Sequence, residues 1–149
     1  MSDFKSLSHS LEDYLEAILI LERKNRVARV RDIATHLDVQ MPSVTGAVKN
    51  LKEKGLVDYE KNSFICLTET GMKAAEEVLN RHSALMEFLE KVLLIPHSKA
   101  EYQACEMEHS IDSETASRIK KCTEAIVGSF GQNGFMSLDD WEKNLNKKS

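Results

Sequence analysis

One short run of the sequence combines three side chains that bind transition metals. Cys105, Glu108 and His109 are spaced i, i+3 and i+4, so on a helix all three leave the same face. A thiolate, a carboxylate and an imidazole form a mixed sulfur, oxygen and nitrogen ligand set, which suits a first-row divalent transition metal. The run therefore predicts a metal site.

Two other places in the sequence offer ligands of the same kind. Asp13 and Glu16 are spaced i, i+3 and lead into the apolar face of a predicted helix, where a carboxylate without a partner is costly. His82 lies inside the apolar stripe of a later helix. Each has an ordinary alternative: a solvated or ion-paired carboxylate, or a core histidine with a hydrogen-bond partner. Together the three segments favour a shared cation.

The composition is that of a soluble, mostly helical protein. Of 149 residues, 42% are hydrophobic and 30% are charged, with only six glycines and two prolines to form linkers. The N-terminus is polar and no apolar run has membrane-spanning length, so we expect a cytoplasmic protein with no membrane partner. The three cysteines form no CxxC pair, and their odd number argues against a disulfide framework.

The first 67 residues have the pattern of a winged helix-turn-helix. Helical periodicity covers 8–24 and 30–37, and Pro42 then opens a third helix. Two short strands at 56–60 and 64–67 flank a polar turn and predict a β-hairpin, the wing. This pattern is typical of a domain that binds duplex DNA.

Charge supports the same expectation. The window from Arg23 to Lys54 holds eight Lys or Arg residues against three acids, a net charge of about +5, although the whole chain carries −4. Short polar side chains at the start of the third helix can reach base edges, and lysines can meet phosphates. The candidate DNA contacts are Gln40, Pro42, Ser43, Thr45, Lys49, Lys52 and Lys61. The alternative is that Ser43 and Thr45 only satisfy free N–H groups in that helix's first turn.

The second part of the chain is predicted to be helical and carries the metal-binding run. A long helix is expected over 68–94, another over 98–111, and a third after Asp112, whose side chain suits the position that caps a helix start. The tail from about residue 130 has no clear pattern.

We therefore predict an all-α protein with a small β-hairpin wing. A winged helix-turn-helix DNA-binding domain would occupy 1–70, and a helical dimerisation and metal-binding domain would occupy 71–149. Small and apolar faces on the last helices predict a homodimer, which the reading of a palindromic operator would need.

The sequence resembles the diphtheria-toxin-repressor family of metal-dependent regulators, especially its two-domain manganese-transport-regulator branch, over about residues 8–120. The matching stretches are Ser10-Leu11-Glu12-Asp13-Tyr14-Leu15-Glu16, Pro42-Ser43-Val44-Thr45, Gly55-Leu56-Val57, Leu67-Thr68, Arg81-His82 and Glu108-His109. The resemblance implies a homodimeric repressor that binds double-stranded DNA operators when loaded with Mn(II) or Fe(II), often controlling metal uptake. By position it implies metal ligands at Asp13, Glu16, His82, Glu108 and His109.

Cys105 departs from the manganese branch, which has a carboxylate there, and resembles the Cys-x-x-Glu-His run of the iron-responsive branch. That branch lacks the Asp13 and Glu16 pair, so the resemblance implies a hybrid pocket. Glu101 matches an ancillary-site position of the iron branch and is an additional candidate ligand. Because a thiolate moves preference away from Mn(II), we predict Fe(II), with Mn(II) close behind and Co(II), Zn(II) or Ni(II) as substitutes in vitro. Because the sequence ends at Ser149, we expect no counterpart of the SH3-like domain of larger members.

Two other functions remain open. One is a helix-turn-helix regulator that responds to a small organic ligand or to oxidation of Cys105, with metal irrelevant. The other is a metal-dependent enzyme, which the sequence disfavours because it has no HExxH motif, nucleophile elbow or phosphate-binding loop. A response to peroxide in the presence of chelator would favour the first, and turnover of any substrate would favour the second.

Overall fold

The structure, a computed structural model, describes residues 7–60, 64–129 and Lys143. Along these residues the elements are α1 (His9–Asn25), α2 (Val30–Leu37), α3 (Met41–Glu53), β1 (Val57–Tyr59), β2 (Ile65–Leu67), α4 (Glu69–Lys91), α5 (His97–Glu108) and α6 (Ser113–Ser129). The strands pair antiparallel, with Asp58 opposite Cys66. The predicted all-α fold with a small β-hairpin is confirmed. The chain divides within α4, between Leu79 and Asn80, into two compact units.

The first unit has one apolar core to which every element contributes. Ser8 caps the start of α1 by accepting a hydrogen bond from the Leu11 N–H at 3.4 Å. The core includes Leu15, Ile18, Ile33, Val44, Val48, Leu51, Val57, Ile65 and Ala75. Because the buried residues of α3 recur every three or four positions, the opposite face of that helix is left to solvent.

The turn between α2 and α3 uses a left-handed residue. Asp38 has φ 52° and ψ 47°, and the Val39 N–H returns to the Ala34 carbonyl at 3.0 Å. Aspartate tolerates this conformation better than most residues, so the tight turn forms without glycine. Pro42 follows in the first turn of α3, where its missing N–H breaks no helical hydrogen bond.

The hairpin is hydrogen-bonded to the helices through both strands. The Tyr59 carbonyl of β1 accepts from the Lys52 ammonium of α3 at 2.5 Å. The Leu67 N–H of β2 donates to the Glu22 carboxylate of α1 at 3.1 Å. A two-stranded sheet leaves such edge groups to water unless something pairs with them. The hairpin is therefore an integral part of the first unit.

Burial raises the pKa of the Glu22 carboxyl above its usual value, although hydrogen bonds from Leu67 and Cys66 act in the opposite direction. A carboxyl with a raised pKa in the folded chain stabilises the fold fully below its unfolded pKa, and this contribution is lost as the pH rises through the folded pKa. We therefore expect Glu22→Gln, which cannot ionise, to gain stability relative to the wild type as the pH rises from about pH 4 through the folded pKa of Glu22. Urea unfolding at a series of pH values, with chelator present, measures this difference.

Glu69→Gln is a control, because its stability relative to the wild type should change with pH in the opposite direction. Lys73 lies 2.9 Å from the Glu69 carboxylate and lowers the pKa of that carboxyl through its hydrogen bond and its charge. The stabilising contribution of Glu69 is therefore present above its unfolded pKa and lost as the pH falls. Glu69→Gln should lose stability relative to the wild type as the pH rises toward about pH 4.5, and the difference should stay constant above that pH. A parallel trend in the two variants would contradict the role given to Glu22.

The start of α4 lies against the start of the hairpin. The Thr68 hydroxyl accepts from the Gly71 N–H at 3.0 Å and donates to the Gly55 carbonyl at 2.7 Å. A Cβ at position 71 would lie 1.8 Å from the Leu56 carbonyl oxygen. Glycine is therefore required here by the close approach of two backbones.

The second unit contains the C-terminal part of α4, together with α5 and α6. Its buried apolar centre is formed by Leu85, Leu89, Ala100 and Ala104. The start of α6 is capped as predicted, because the Thr115 N–H donates to the Asp112 carboxylate at 2.7 Å. None of the helices that the structure describes is both long enough and apolar enough to cross a membrane.

Two predicted helix ends in this unit were wrong. The α4 helix ends at Lys91 rather than near 94, because Leu94 adopts a left-handed conformation with φ 54°. The α5 helix ends at Glu108 rather than near 111, and His109 follows as its C-cap. A left-handed leucine has no signal in the sequence, since helices usually change direction at glycine or asparagine.

Candidate functional site

His82 and Glu108 approach each other from two helices of the second unit. His82 lies on α4, and Glu108 is the last residue of α5. His82 Nδ1 lies 2.6 Å from Glu108 Oε2, a hydrogen-bond distance. The Glu108 side chain is only 1% exposed, and that of His82 is 18% exposed. A carboxylate buried this deeply needs a partner, and the imidazole supplies one.

Cys105 brings a thiol to the same place from one turn earlier on α5. Its Sγ lies 3.9 Å from His82 Nδ1. One ligand atom each from His82, Cys105 and Glu108 all lie within 4.8 Å of one another. We refer to these three residues as the α4–α5 triad. Because Cys105 is exposed and Glu108 is buried, solvent reaches the triad from the side of the sulfur.

The triad fits a divalent transition metal. Ligand atoms bound at about 2.0–2.3 Å in tetrahedral geometry lie about 3.3–3.6 Å from one another. The 3.9 Å between the Cys105 sulfur and the His82 nitrogen is close to that range. The 2.6 Å between His82 and Glu108 would have to widen by about 0.7 Å. Small side-chain adjustments are therefore enough for the three residues to hold an ion.

His109 adds a second imidazole to the same carboxylate. Its Nε2 lies 3.4 Å from Glu108 Oε1, while His82 lies on the other oxygen, and its side chain is 8% exposed. His109 is also the C-cap of α5, so its backbone position follows directly from the end of that helix. Three predicted ligands, His82, Cys105 and His109, thus lie around the buried carboxyl group of Glu108.

Arg81 holds the end of α5 in place, a role that the sequence did not predict although Arg81-His82 is one of the matching stretches. Its Nε donates to the backbone carbonyl of Glu108 at 2.9 Å, and the residue is 8% exposed. The last carbonyls of a helix have no partner within the helix, and this bond satisfies one of them. The backbone of Glu108 is therefore fixed independently of its side chain. The only signal in the sequence was the position of Arg81 beside His82.

The remaining predicted ligands are Asp13, Glu16 and Glu101. Asp13 and Glu16 are half-buried and lie one turn apart on α1 of the first unit. Glu101 is exposed on α5, and its Oε2 lies 3.5 Å from His97 Nε2. Glu90, whose carboxylate lies 2.6 Å from His97 Nδ1, raises the pKa of that imidazole through a hydrogen bond and its charge. The assignment of these three carboxylates as metal ligands stays a prediction, as does that of the residues around Glu108.

The predicted DNA contacts on α3 face solvent. The exposed residues among them are Gln40, Pro42, Ser43, Lys49 and Lys52. Thr45 is half-buried, and its hydroxyl donates to the Met41 carbonyl at 3.1 Å rather than accepting from an N–H group of the first turn. Lys61 lies outside the described residues, as does the tail from 130 apart from Lys143. DNA contact by these residues stays a prediction.

Comparison with known families gives two consecutive matches. Residues 6–64 match the N-terminal DNA-binding domain of iron-dependent repressors, and residues 68–126 match the metal-binding and dimerisation domain of the same family. An uncharacterised HTH-type transcriptional regulator of Methanocaldococcus jannaschii is 35% identical over 115 residues, which are 76% of this chain and 92% of the relative.

Two solved structures illustrate the likeness in fold. IdeR of T. acidophilum superposes with a TM-score of 0.66 at 24% identity, covering 88% of this chain and 57% of that one. The manganese regulator SloR superposes with a TM-score of 0.67 at 27% identity, covering 75% of this chain and 52% of that one. The chain thus spans little more than half the length of these two proteins.

Fold and comparisons together define a winged-helix transcriptional regulator with a metal-binding part. The chain belongs to the iron-dependent repressor family, over both the DNA-binding domain and the metal-binding and dimerisation domain. The resemblance drawn from the motifs is confirmed.

Proposed function

We propose that this protein is a repressor that binds palindromic operator DNA as a homodimer when loaded with Fe(II) or Mn(II), and thereby regulates metal uptake or homeostasis. The α4–α5 triad is the main support: an imidazole, a thiol and a buried carboxylate within 4.8 Å of one another. The triad lies in the segment that matches the family's metal-binding and dimerisation domain. The fold alone would support DNA binding, but it would not support a response to metal.

The proposed ligands come from three helices and the residue after α5, and they are Asp13, Glu16, His82, Cys105, Glu108 and His109. Asp13 and Glu16 are included because their positions match the ligands of related regulators. A bound divalent cation would offset the negative charge of these acids and the thiolate. The helix α1 shares one apolar core with α3. Ligands on α1 therefore connect metal binding to the proposed DNA-reading helix.

This connection sets how strongly metal can control DNA binding. A metal shifts the equilibrium between arrangements only by its differential affinity for the one that binds DNA. Such coupling typically amounts to ~1–3 kcal/mol, or about 5- to 150-fold in affinity. Cys105 favours Fe(II) over Mn(II), because a thiolate is a softer ligand than a carboxylate.

A metal-by-metal DNA titration tests the proposal. Duplexes enriched from a random pool by the metal-loaded protein serve as probes, and fluorescence anisotropy is recorded under anaerobic conditions. We expect affinity to rise at least ~10-fold with Fe(II) or Mn(II), and to return to its starting value when chelator is added. We also expect Fe(II) to act at a lower concentration than Mn(II), and Cys105→Glu to reverse that order.

Two outcomes of this titration would count against the proposal at different levels. Equal affinity with metal and with chelator would contradict metal dependence itself. An unchanged metal order in Cys105→Glu would contradict only the role of the thiolate. Asp13→Ala should abolish the metal response without unfolding the chain, and a full response in this variant would remove α1 from the ligand set.

Regulation by oxidation is the second candidate, because the exposed Cys105 thiol lies 3.9 Å from an imidazole nitrogen. In that case, peroxide would release DNA from protein kept in chelator. We expect no such release, because the proposed metal dependence means that protein in chelator binds DNA only weakly before peroxide is added. A metal-dependent enzyme is disfavoured because the family consists of transcriptional regulators.

A further inference from the structure

Arg29 and Phe64 form an exposed cation–π pair beside the hairpin. The central guanidinium carbon of Arg29 lies 5.1 Å from the centre of the Phe64 ring. Phe64 is 46% exposed, and Arg29 is exposed as well. An aromatic ring that stays in solvent to this extent contributes little to the core. Its aromatic contact is with the Arg29 cation, whose position it stabilises.

The backbone around this pair is fixed. The Ile65 N–H donates to the Ala28 carbonyl at 2.9 Å, which links the residue after Phe64 to the residue before Arg29. The Arg29 carbonyl accepts from the Ile33 N–H at 3.0 Å, where α2 begins. The backbone on both sides of Arg29 is thus hydrogen-bonded to neighbouring elements, and its guanidinium lies over the Phe64 ring. Less conformational entropy is lost when such a preorganised group binds a partner.

The contact with the ring uses none of the conventional hydrogen bonds of the guanidinium, so its N–H donors remain for other groups. Nearby arginines are paired with acids: Arg23 with Glu76 at 2.8 Å and Arg31 with Asp32 at 3.7 Å. Among the residues that the structure describes, Arg29 has no carboxylate partner. A stacked arginine with its donor edge available suits a phosphate group, which accepts two parallel hydrogen bonds from it.

We propose that Arg29, positioned by Phe64, contacts the phosphodiester backbone of duplex DNA. This inference rests on the proposed function in one respect, because it requires the hairpin side of the first unit to lie on DNA. DNA is favoured over an acidic protein because both residues lie in the segment that matches a DNA-binding domain. Arg29 also lies in the window of net charge about +5. A phosphate contact carries no sequence information, so it strengthens binding to all duplexes alike.

The test is the salt dependence of binding to a fluorescently labelled duplex of mixed sequence. Arg29→Gln removes one phosphate contact per subunit. We therefore expect the slope of log affinity against log salt to become shallower by ~0.9 per bound subunit. If the variant and the wild type bind equally at 1 M salt, this change in slope gives the variant an affinity lower by about eightfold at ~0.1 M salt. Phe64→Leu should weaken binding as well, and Arg29→Gln should have a smaller effect when made in that background.

Arg23→Gln is the matched control. It changes the net charge by the same amount as Arg29→Gln, but the Arg23 guanidinium is already paired with Glu76. Its salt slope should equal that of the wild type. An equal loss of slope in both variants would show a general charge effect and overturn the proposal. An unchanged slope in Arg29→Gln would also overturn it, and would leave an acidic protein as the partner of the pair.

The two proposals can fail separately in this experiment. If duplex binding does not respond to metal but Arg29→Gln still lowers the slope, the proposed metal dependence is contradicted and the phosphate contact is supported. If binding responds to metal but the slopes of Arg29→Gln and wild type agree, the phosphate contact alone is contradicted. Circular dichroism of each variant checks that these surface substitutions leave the fold intact.

Discussion

Glu108→Gln should lower the affinity of the protein for Fe(II) or Mn(II) by at least ~100-fold, since the loss of residues that only orient metal ligands already costs about 10- to 100-fold. The substitution keeps the size of the side chain but removes a carboxylate that is 1% exposed and lies 2.6 Å from His82. A neutral amide is a poorer ligand for a divalent metal and cannot offset its charge. Competition with a chelator of known affinity, under anaerobic conditions, measures the change.

Glu106→Gln is the matched control for this prediction. Glu106 is an exposed carboxylate on the same helix, two positions away, and is not part of the α4–α5 triad. Its replacement makes the same change in net charge and should leave metal affinity within about twofold of the wild type. Metal binding of wild-type strength in Glu108→Gln would mean that the ion is held elsewhere. Such a result would leave the proposed ligand set without its central residue.

Gly71→Ala should destabilise the first unit by more than ~3 kcal/mol, the upper part of the usual range for overpacked sites. The added Cβ would lie 1.8 Å from the Leu56 carbonyl oxygen and 2.7 Å from its carbon, so two backbones have to move apart. That movement also disturbs the hydrogen bonds of Thr68 at the start of α4. Because a domain has only ~5–15 kcal/mol of net stability, the loss is large. Urea unfolding followed by circular dichroism measures it.

Gly46→Ala gives the contrasting result expected where a glycine has room. A Cβ at Gly46 in α3 would have nothing within 4 Å. Alanine favours a helix interior over glycine by ~0.5–1 kcal/mol, so this variant should be more stable than the wild type. Similar losses of stability in Gly46→Ala and Gly71→Ala would contradict the steric explanation for position 71.

Much of the fold could be predicted because local patterns determine it. Buried residues recur at helical spacing in α1 and α3, and the Asp112 carboxylate caps α6 where the sequence predicts it. The predicted ends of α4 and α5 were wrong, because the tertiary structure overrides local preference there. Leu94 is the clearest example, because helix propensities do not predict its left-handed backbone, with φ 54°.

The site was predictable in its residue types but not in its distances. Spacing places Cys105 and Glu108 on one face of a helix, yet it cannot show that His82, far earlier in the chain, lies 2.6 Å from the same carboxylate. The role of Arg81 could not be predicted, because its partner is a backbone carbonyl of another helix. The ligand roles of all the predicted residues stay predictions, as do the DNA contacts.

The hydrogen bond from Arg81 to the main chain of Glu108 has a consequence for how such proteins diversify. Since that bond holds the end of α5 through backbone atoms, the side chains at 105 and 108 can be exchanged with little disturbance of the helix itself. If the α4–α5 triad holds an ion as proposed, single substitutions at these two positions would change the preference among iron, manganese and zinc while the end of α5 keeps its place.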